Sequence, residues 1–424
     1  MLERGPDVGA FRTGLLRACA VALGAAICIS SATEVAGAPA DRRPAPAVLA
    51  VLEAGLNVLH DDFRLAPGQA KLPRGLPPVT PISLPASGSF SEQIEDARAG
   101  ALGNLQAGVL YYLKGTRLFL YVPETSTVTN VFADAIHGTG VASGAAGLEH
   151  GTNPDLWLVV VLHSQPDASA WEWLTGATWI DVISTSYNNL YARPVPIVSC
   201  PEAEFIPRIV EQGRLVFSAV GNGEQLGEIM SPSGFPQAYQ VGGVDEKGRT
   251  WMPAHSTTHR STPNRPYETG DRYEFMAADA SSLDGEMVFG GTSGAAPSTA
   301  GRATDLVQLA RSVLSSTSIG TNEGALARGP SRPQLKRGPL SDGDLTNEEL
   351  VDVLHHVAQP AEAASPVRYL IEGYGALNEE AMALAERVLL GQVELPDRPE
   401  EDAWHARVEQ LRAALFPSAR CGNP

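Results

Sequence analysis

Basic residues are scarce in this sequence: Lys and Arg together number 31, against 48 Asp and Glu, and the formal net charge is −17. Affinity for nucleic acids comes largely from clustered Lys and Arg. The charge balance therefore argues against phosphate-backbone binding as the main function, and we expect no nucleic-acid partner. Acidity of this kind is more often a feature that keeps a protein soluble.

The amino-terminal region has no apolar run long enough to span a bilayer. The run ACAVALGAAICI, residues 18–29, is shorter than the roughly 20 residues that a membrane-spanning helix needs. Arg4, Arg12 and Arg17 precede it and the small residues SSATEVAGAPA follow it, which is the layout of an export signal. We expect residues 1–40 to be this signal, the protein to be secreted or extracytoplasmic, and the mature chain to have no membrane span.

Cysteine is also scarce, with four in the chain. Cys19 and Cys28 lie in the predicted signal, so the mature chain would keep Cys200 and Cys421. Cysteines in exported proteins often pair, but a bridge requires Cα atoms within about 7 Å of each other. Whether Cys200 and Cys421 pair stays open. Acidic residues at EF-hand spacing are missing as well, so we expect no catalytic metal and no cofactor for the chemistry, with a structural calcium ion left open.

The segment after the signal predicts a helix followed by a linker. Four of its apolar residues recur at spacings of three and four: Val48, Leu52, Leu56 and Leu59. This pattern predicts an amphipathic helix over residues 46–63. Residues 64–90 are rich in Pro, Gly and Ser, which disfavour a regular helix. We assign residues 41–92 to an N-terminal helix and a Pro-rich linker or prosegment.

From residue 93 to residue 391, apolar strands alternate with helical stretches, which indicates an α/β domain with a parallel sheet covered by helices. The predicted strands are Leu118–Val122, Leu156–Leu162, Ile180–Ser186, Leu215–Val220, Tyr239–Val244 and Tyr273–Ala277.

Three helices are predicted in the second half of the chain. The first follows Ser293, and the second opens at Thr346 with Glu349 at the capping-box spacing. The third lies in the tail, residues 392–424, within EEDAWHARVEQLRAALF. Residues 317–344 between the first two are polar and Gly-rich, which predicts a mobile surface loop.

Chemistry is concentrated in the segments IHGTGVASGAAG around His137, SAVGNGE around Asn222 and GGTSGAAPSTAG around Ser293. Each is predicted at a junction between a loop and a strand or helix, and a helix amino terminus can stabilise developing negative charge. A serine hydroxyl becomes an effective nucleophile when an imidazole takes its proton, a role for His137. The amide of Asn222 could stabilise the resulting oxyanion by about 2.7 to 4 kcal/mol.

The order His, Asn, Ser, with HGT, GN and GTS cores, resembles that of the subtilisin-like serine peptidases. The segments NPDLWLVVVL, WIDVISTS, SPSGFPQAYQVGGVDEKGR and GYGALNEEAMALA extend the similarity over residues 108–391. GTSGA does not fit the GxSxG elbow of α/β-hydrolases, because Ala295 occupies the position of the last glycine.

The resemblance implies a three-layer fold with a central, mostly parallel sheet and helices on both faces. It further implies a monomeric endopeptidase that cleaves peptides or proteins through an acyl-enzyme on Ser293. In the family, an extended peptide pairs with strands beside the cleft. This implies a substrate-binding role for Ser184, Thr185 and Ser186.

The acidic member of the triad is where the sequence departs from the family. The family places an Asp at the end of the first core strand, yet the region compared, residues 107–125, contains no Asp. Two substitutes are available: Asp134, three residues before His137, which we prefer, and Glu124. Without an acid on His137, a pseudopeptidase that binds peptides or a cell-surface partner is the alternative.

Two other departures are Gly140, where many members carry a second His, and Gly294, where many carry Met. Neither change removes a catalytic atom. Esterase or acyl-transfer chemistry with the same residues is a further alternative, because other nucleophiles can intercept an acyl-enzyme.

Overall fold

The structure is a computed structural model of the chain. It describes residues 46–65, 72–73, 75–128, 130–163, 168–187, 189–191, 202–222, 229–245, 249, 268–314, 326–327, 339–342, 344–360 and 363–415. The predicted export signal, both remaining cysteines and most of the predicted loop at 317–344 lie outside these residues. Within the described part of the chain, no helix has the length and apolarity needed to cross a membrane.

The strands are β1 (Val48–Glu53), β2 (Thr80–Ser83), β3 (Leu110–Lys114), β4 (Leu118–Tyr121), β5 (Trp157–Leu162), β6 (Val182–Thr185), β7 (Asn189–Tyr191), β8 (Leu215–Ala219), β9 (Ile229–Ser231), β10 (Tyr239–Val244), β11 (Thr269–Arg272), β12 (Glu274–Ala278), β13 (Glu286–Gly290), β14 (Leu326–Ala327) and β15 (Leu345–Thr346). The α-helices are α1 (Phe90–Ala99), α2 (Ala135–Ala146), α3 (Ala168–Gly176), α4 (Glu202–Glu211), α5 (Thr292–Val313), α6 (Asn347–Val357), α7 (Pro366–Glu372), α8 (Glu379–Leu389) and α9 (Pro399–Leu415). Short 3-10 helices lie at Asp61–Phe63, Ala101–Gly103 and Pro339–Asp342.

A nine-stranded sheet organises the molecule, in the order β11-β10-β8-β6-β1-β5-β4-β3-β2. Every neighbouring pair is parallel except β3 and β4, which are antiparallel. The predicted central, mostly parallel sheet is confirmed.

Strand β1 corrects the N-terminal prediction. Residues 48–53 form the middle strand of the sheet, paired with β5 on one side and β6 on the other, so the helix predicted over 46–63 is wrong. All six residues of VLAVLE are buried, and a strand buried on both faces can be apolar without alternation. Spacings of three and four occur in such a run by chance. The boundary predicted at residue 93 therefore divides strands of one sheet.

Strand β1 also shows how the layers form, because successive side chains of a strand point to opposite faces. Leu49 and Val51 pack in the same apolar cluster as residues of α2 and α5. Val48, Ala50 and Leu52 belong to a second cluster with residues of α3 and α4. Helices thus cover both faces of the sheet, which confirms the predicted three-layer architecture.

Most of the other predicted elements are confirmed, with strand ends that differ by one or two residues. The exception is Tyr273–Ala277, which overlaps β12 and pairs with β13 as an antiparallel hairpin outside the central sheet. Helix α6 has both halves of the capping box predicted for Thr346 and Glu349. Helices α5 and α9 lie where the sequence predicts them.

Helices α2 and α5 pack closely because their contact residues are small. A Cβ atom on Gly301 of α5 would lie 2.2 Å from Thr152 Oγ1 and 2.8 Å from the backbone oxygen of Ala145 in α2. Residues 138–146 of α2 are all buried. This contact fixes the position of the first turns of both helices.

Candidate active site

The site lies where neighbouring parallel strands end. Glu53 is the last residue of β1, Thr185 of β6 and Ala219 of β8, and these strands are adjacent in the sheet. The carboxyl ends of parallel strands form the edge at which open α/β sheets bind ligands. His137 in the first turn of α2 and Ser293 in the first turn of α5 complete the set.

Glu53 is the acidic partner of His137. Its Oε2 atom lies 2.8 Å from His137 Nδ1. The Glu53 side chain is 6% exposed and that of His137 46%, so the carboxylate is inside and the ring reaches the surface. A buried carboxylate on Nδ1 fixes the tautomer and the orientation of an imidazole.

The HGT motif explains how α2 comes close enough for this contact. A Cβ atom on Gly138 would lie 2.0 Å from the backbone oxygen of Gly55, just after β1, so only glycine fits. Thr139 Oγ1 accepts a hydrogen bond of 2.8 Å from the backbone N–H of Asn57 in the same loop. His137, Gly138 and Thr139 therefore each hold α2 against the end of β1.

The environment raises the pKa of His137 above its ordinary value of 6.5. Burial is the largest single effect and lowers this pKa, because it disfavours the charged ring. The hydrogen bond and the negative charge of Glu53 both raise it, and together they outweigh burial.

The two acids predicted from sequence are both exposed. Asp134 precedes α2 in the left-handed conformation, with φ of 46°, and its side chain makes no capping hydrogen bond. In the described part of the chain, His137 forms a hydrogen bond with Glu53 and with neither Asp134 nor Glu124. The structure therefore places Glu53, and neither of the two predicted acids Asp134 and Glu124, against His137.

The sequence does carry a signal for Glu53. It ends the apolar run VLAVL, and the family places its acid at the end of the first core strand. Residues 107–125, the region compared with the family's first core strand, contain β3 and β4 instead.

Ser293 is linked to the end of β6 by two reciprocal hydrogen bonds. Its Oγ donates to the backbone oxygen of Ser186 over 3.3 Å, and Ser186 Oγ donates to the backbone oxygen of Ser293 over 2.9 Å. Of the three residues predicted to bind substrate, Ser186 is the one hydrogen-bonded to Ser293. All three are buried, and Ser184 and Thr185 lie in β6, which pairs with β1 and β8 on its two sides. Their role in substrate binding stays a prediction.

Asn222 is oriented by Thr292. Asn222 Oδ1 accepts hydrogen bonds from the backbone N–H and the hydroxyl of Thr292, at 3.0 and 3.1 Å. The hydroxyl in turn accepts from the backbone N–H of Gly221 at 3.1 Å. With Oδ1 occupied, Nδ2 is the atom of the Asn222 amide that can donate. The N–H of Ser293, in the first turn of α5, has no acceptor within its own helix and is a second donor.

An aromatic pair from the β12–β13 hairpin fills the space beside the two unusual glycines. A Cβ atom on Gly140 would lie 2.4 Å from the Phe289 ring, and one on Gly294 would lie 2.6 Å from Phe275 Cε1. Phe289 meets the His137 ring edge-on, with centroids 5.6 Å apart. The sequence analysis missed both aromatic residues, whose positions opposite each other depend on the pairing of β12 and β13.

Two clusters in the described part of the chain have ligand atoms close enough to hold a metal ion. They consist of Glu149, His150 and Glu286, and of Glu268, His405 and Glu409. Neither includes Glu53, His137 or Ser293. The expectation of no catalytic metal stays a prediction.

Comparison with solved structures finds proteases at low identity. The prenylagaramide maturation protease PagA is 17% identical with a TM-score of 0.46, covering 81% of this chain and 95% of its own. The self-cleaved protease domain of PatA is 16% identical with a TM-score of 0.46 over 82% and 99%. A lanthipeptide protease is 14% identical with a TM-score of 0.49 over 81% and 89%. Comparison with curated proteins gave no significant match.

The family comparison is more direct. The model of the subtilase family (peptidase S8) matches residues 47–321, a range that starts one residue before β1 and includes Glu53, His137, Asn222 and Ser293. The chain belongs to the subtilase family of serine peptidases.

Proposed function

We propose that the protein is an exported serine endopeptidase whose catalytic triad is Glu53, His137 and Ser293. The contact of 2.8 Å between Glu53 Oε2 and His137 Nδ1 carries this proposal. It places a carboxylate against His137 at the end of β1, which is where the family carries its acid.

In the proposed reaction, Glu53 holds the proton of His137 on Nδ1, so that Nε2 is the basic atom. The Ser293 hydroxyl turns from the backbone oxygen of Ser186 to Nε2, gives up its proton and attacks the carbonyl carbon of the scissile peptide bond. The oxyanion accepts hydrogen bonds from Asn222 Nδ2 and from the backbone N–H of Ser293.

His137 then donates the same proton to the leaving amine, and the peptide bond breaks to give an acyl-enzyme on Ser293. A water molecule, deprotonated by His137, hydrolyses this ester and restores the hydroxyl. Glu53 stays ionised throughout and stabilises the imidazolium that forms in each half of the reaction.

Labelling with a fluorophosphonate probe tests the nucleophile, because the probe reacts with an activated serine. We expect modification of Ser293, located by mass spectrometry, and loss of the modification in His137→Ala. His150→Ala is the matched control, since His150 lies outside the site, and it should label like the wild type.

The rival function is a peptide-binding pseudopeptidase. The observation that favours it is that Ser293 Oγ donates to Ser186 rather than to His137. Folded protein that binds peptides but neither reacts with the probe nor hydrolyses a peptide library would establish this rival and overturn the peptidase.

The proposal that the protein is exported depends on residues 1–40, which are the predicted export signal. Amino-terminal sequencing of protein recovered from the medium or the periplasm of a producing cell would test it. We expect a start after Ala32 or Ala40, and protein that retains Met1 and stays inside the cell would contradict export.

A further inference from the structure

A cluster of carboxylates and imidazoles, two of them buried and two partly exposed, lies far along the chain from the triad motifs. Glu268 directly precedes β11, His355 lies in α6, and His405 and Glu409 lie in α9. Three of these four residues are beyond residue 321, where the match to the family model ends. The peptidase mechanism uses none of them.

The distances within the cluster are those of a metal site. One ligand atom each from Glu268, His405 and Glu409 lies within 4.8 Å of the others. His355 Nε2 lies 3.4 Å from Glu268 Oε2. Around a tetrahedral zinc ion with bonds of about 2.0 to 2.2 Å, neighbouring ligand atoms are roughly 3.3 to 3.6 Å apart. His355 therefore lies beside Glu268 but outside the set of three whose ligand atoms are all within 4.8 Å of one another.

The surroundings orient both imidazoles. The Tyr369 hydroxyl lies 2.7 Å from His405 Nδ1. Metal-binding histidines nearly always have such a partner on the other ring nitrogen. The His355 ring stacks on Tyr374, with ring centroids 4.3 Å apart and ring planes 7° apart. It also stacks on Tyr239, with ring centroids 5.2 Å apart.

Spacing and charge agree with a divalent ion. His405 and Glu409 are four residues apart on α9, so they share one face of the helix. The Glu268 side chain is 7% exposed and that of His355 is 5% exposed. Metal ligands bind in their deprotonated form, so the two carboxylates would bring two negative charges to a bound ion. One divalent cation would balance them.

We propose that Glu268, His405 and Glu409 bind a zinc ion that fastens the C-terminal helix α9 to the catalytic domain. Imidazole with carboxylate suits Zn²⁺, whereas Ca²⁺ prefers six to eight oxygen ligands. The ion would join α9 to the start of β11, beside His355 of α6. The proposal does not depend on the peptidase activity.

Titration of the purified chain with Zn²⁺ in a calorimeter tests the site. We expect one ion per chain, with binding abolished in Glu409→Gln and in His405→Gln. Tyr369→Phe should weaken binding by about 10- to 100-fold, as expected when the partner of a metal-bound histidine is removed. His150→Gln in the second cluster is the matched control and should leave the titration unchanged.

If a variant fails to fold, the absorption spectrum of the wild-type chain with Co²⁺ still tests the site. Co²⁺ added to the wild-type chain should give the visible absorption of a tetrahedral site and no thiolate charge-transfer band. Four results would each overturn the proposal. They are unchanged zinc binding in folded Glu409→Gln, loss of zinc binding in His150→Gln, a thiolate band in the cobalt spectrum, and no metal binding by the wild-type chain.

Discussion

Glu53 shows how one side chain sets the protonation of another. Burial alone would favour the neutral form of His137, which is the form a general base needs. The charge of Glu53 outweighs burial and favours the imidazolium, so the pKa of His137 rises. In the proposed reaction, this shift stabilises the imidazolium produced when Ser293 loses its proton. It also means that a smaller fraction of the protein carries neutral His137 at acidic pH.

Glu53→Gln should change both the rate and its pH dependence. The amide introduced at position 53 is uncharged, so burial becomes the main influence on the pKa of His137, and this pKa should fall. Because activity requires neutral His137, the acidic limb of the profile should move to lower pH. The maximal kcat should fall, by up to about 10⁴-fold, because the amide no longer stabilises the imidazolium. A pH profile of kcat measures both effects. An acidic limb at unchanged or higher pH would contradict the assignment of Glu53.

Thr292 should act on the oxyanion through Asn222. Asn222→Ala should lower kcat by about 10²- to 10³-fold with little change in KM. Thr292→Val removes the hydroxyl that donates to Asn222 Oδ1 and should lower kcat by a smaller factor, while Thr292→Ser keeps the hydroxyl and should restore the rate. Steady-state kinetics on a peptide substrate separate kcat from KM. Equal rates for the Val and Ser variants would exclude this positioning role.

At the scale of elements, the β12–β13 hairpin and the first turns of α2 and α5 fit together around glycine positions. Phe275 and Phe289 occupy the space where side chains at positions 140 and 294 would lie. The two glycines that differ from the usual family pattern are thus explained by the aromatic pair that packs against them.

Gly140→Ala should destabilise the protein by about 1 to 3 kcal/mol, because the added methyl group would lie within 2.4 Å of the Phe289 ring. Gly176→Ala at the end of α3 is the matched control, since a Cβ atom there has nothing within 4 Å. Urea unfolding gives the two free energies. Equal stabilities for the two variants would contradict the packing account.

The elements also show what a sequence can predict. Strands such as Tyr239–Val244 and the capped helix at Thr346 follow from local patterns, and the structure confirms them. Strand β1 could not be separated from a helix by spacing alone, because a strand covered on both faces is apolar throughout. The motifs predict roles for His137, Asn222 and Ser293, and these stay predictions. Glu53 is 84 residues from His137 in the sequence, so its contact with His137 depends on the position of β1.

At the scale of the whole molecule, a buried ion pair links the far end of α5 to the start of β1. Arg311 Nη2 lies 2.5 Å from Asp181 Oδ1, and Asp181 Oδ2 accepts from the backbone N–H of Val48 over 2.8 Å. Arg311 also donates to the backbone oxygen of Pro46. Helix α5 carries Ser293 at its other end, so this pair connects the two elements that position the nucleophile and the acid.

Arg311→Met should destabilise the fold by about 3 to 5 kcal/mol, because it leaves the Asp181 carboxylate buried without its partner. Arg208→Met on α4 is the matched control, because its pair with Glu204 is exposed and should contribute less than about 1 kcal/mol. Chemical unfolding followed by circular dichroism measures both. A loss for Arg311→Met no greater than for Arg208→Met would contradict the structural role of the pair.

The central claim is that Glu53 is the acid of the triad, and the rate of fluorophosphonate labelling at Ser293 tests it most directly. The wild type, Glu53→Gln and Asp134→Asn would be compared at one pH above the acidic limb, after their folding is verified by circular dichroism. We expect a large fall in labelling rate for Glu53→Gln and a wild-type rate for Asp134→Asn. Slow labelling of Asp134→Asn together with a wild-type rate for Glu53→Gln would contradict it.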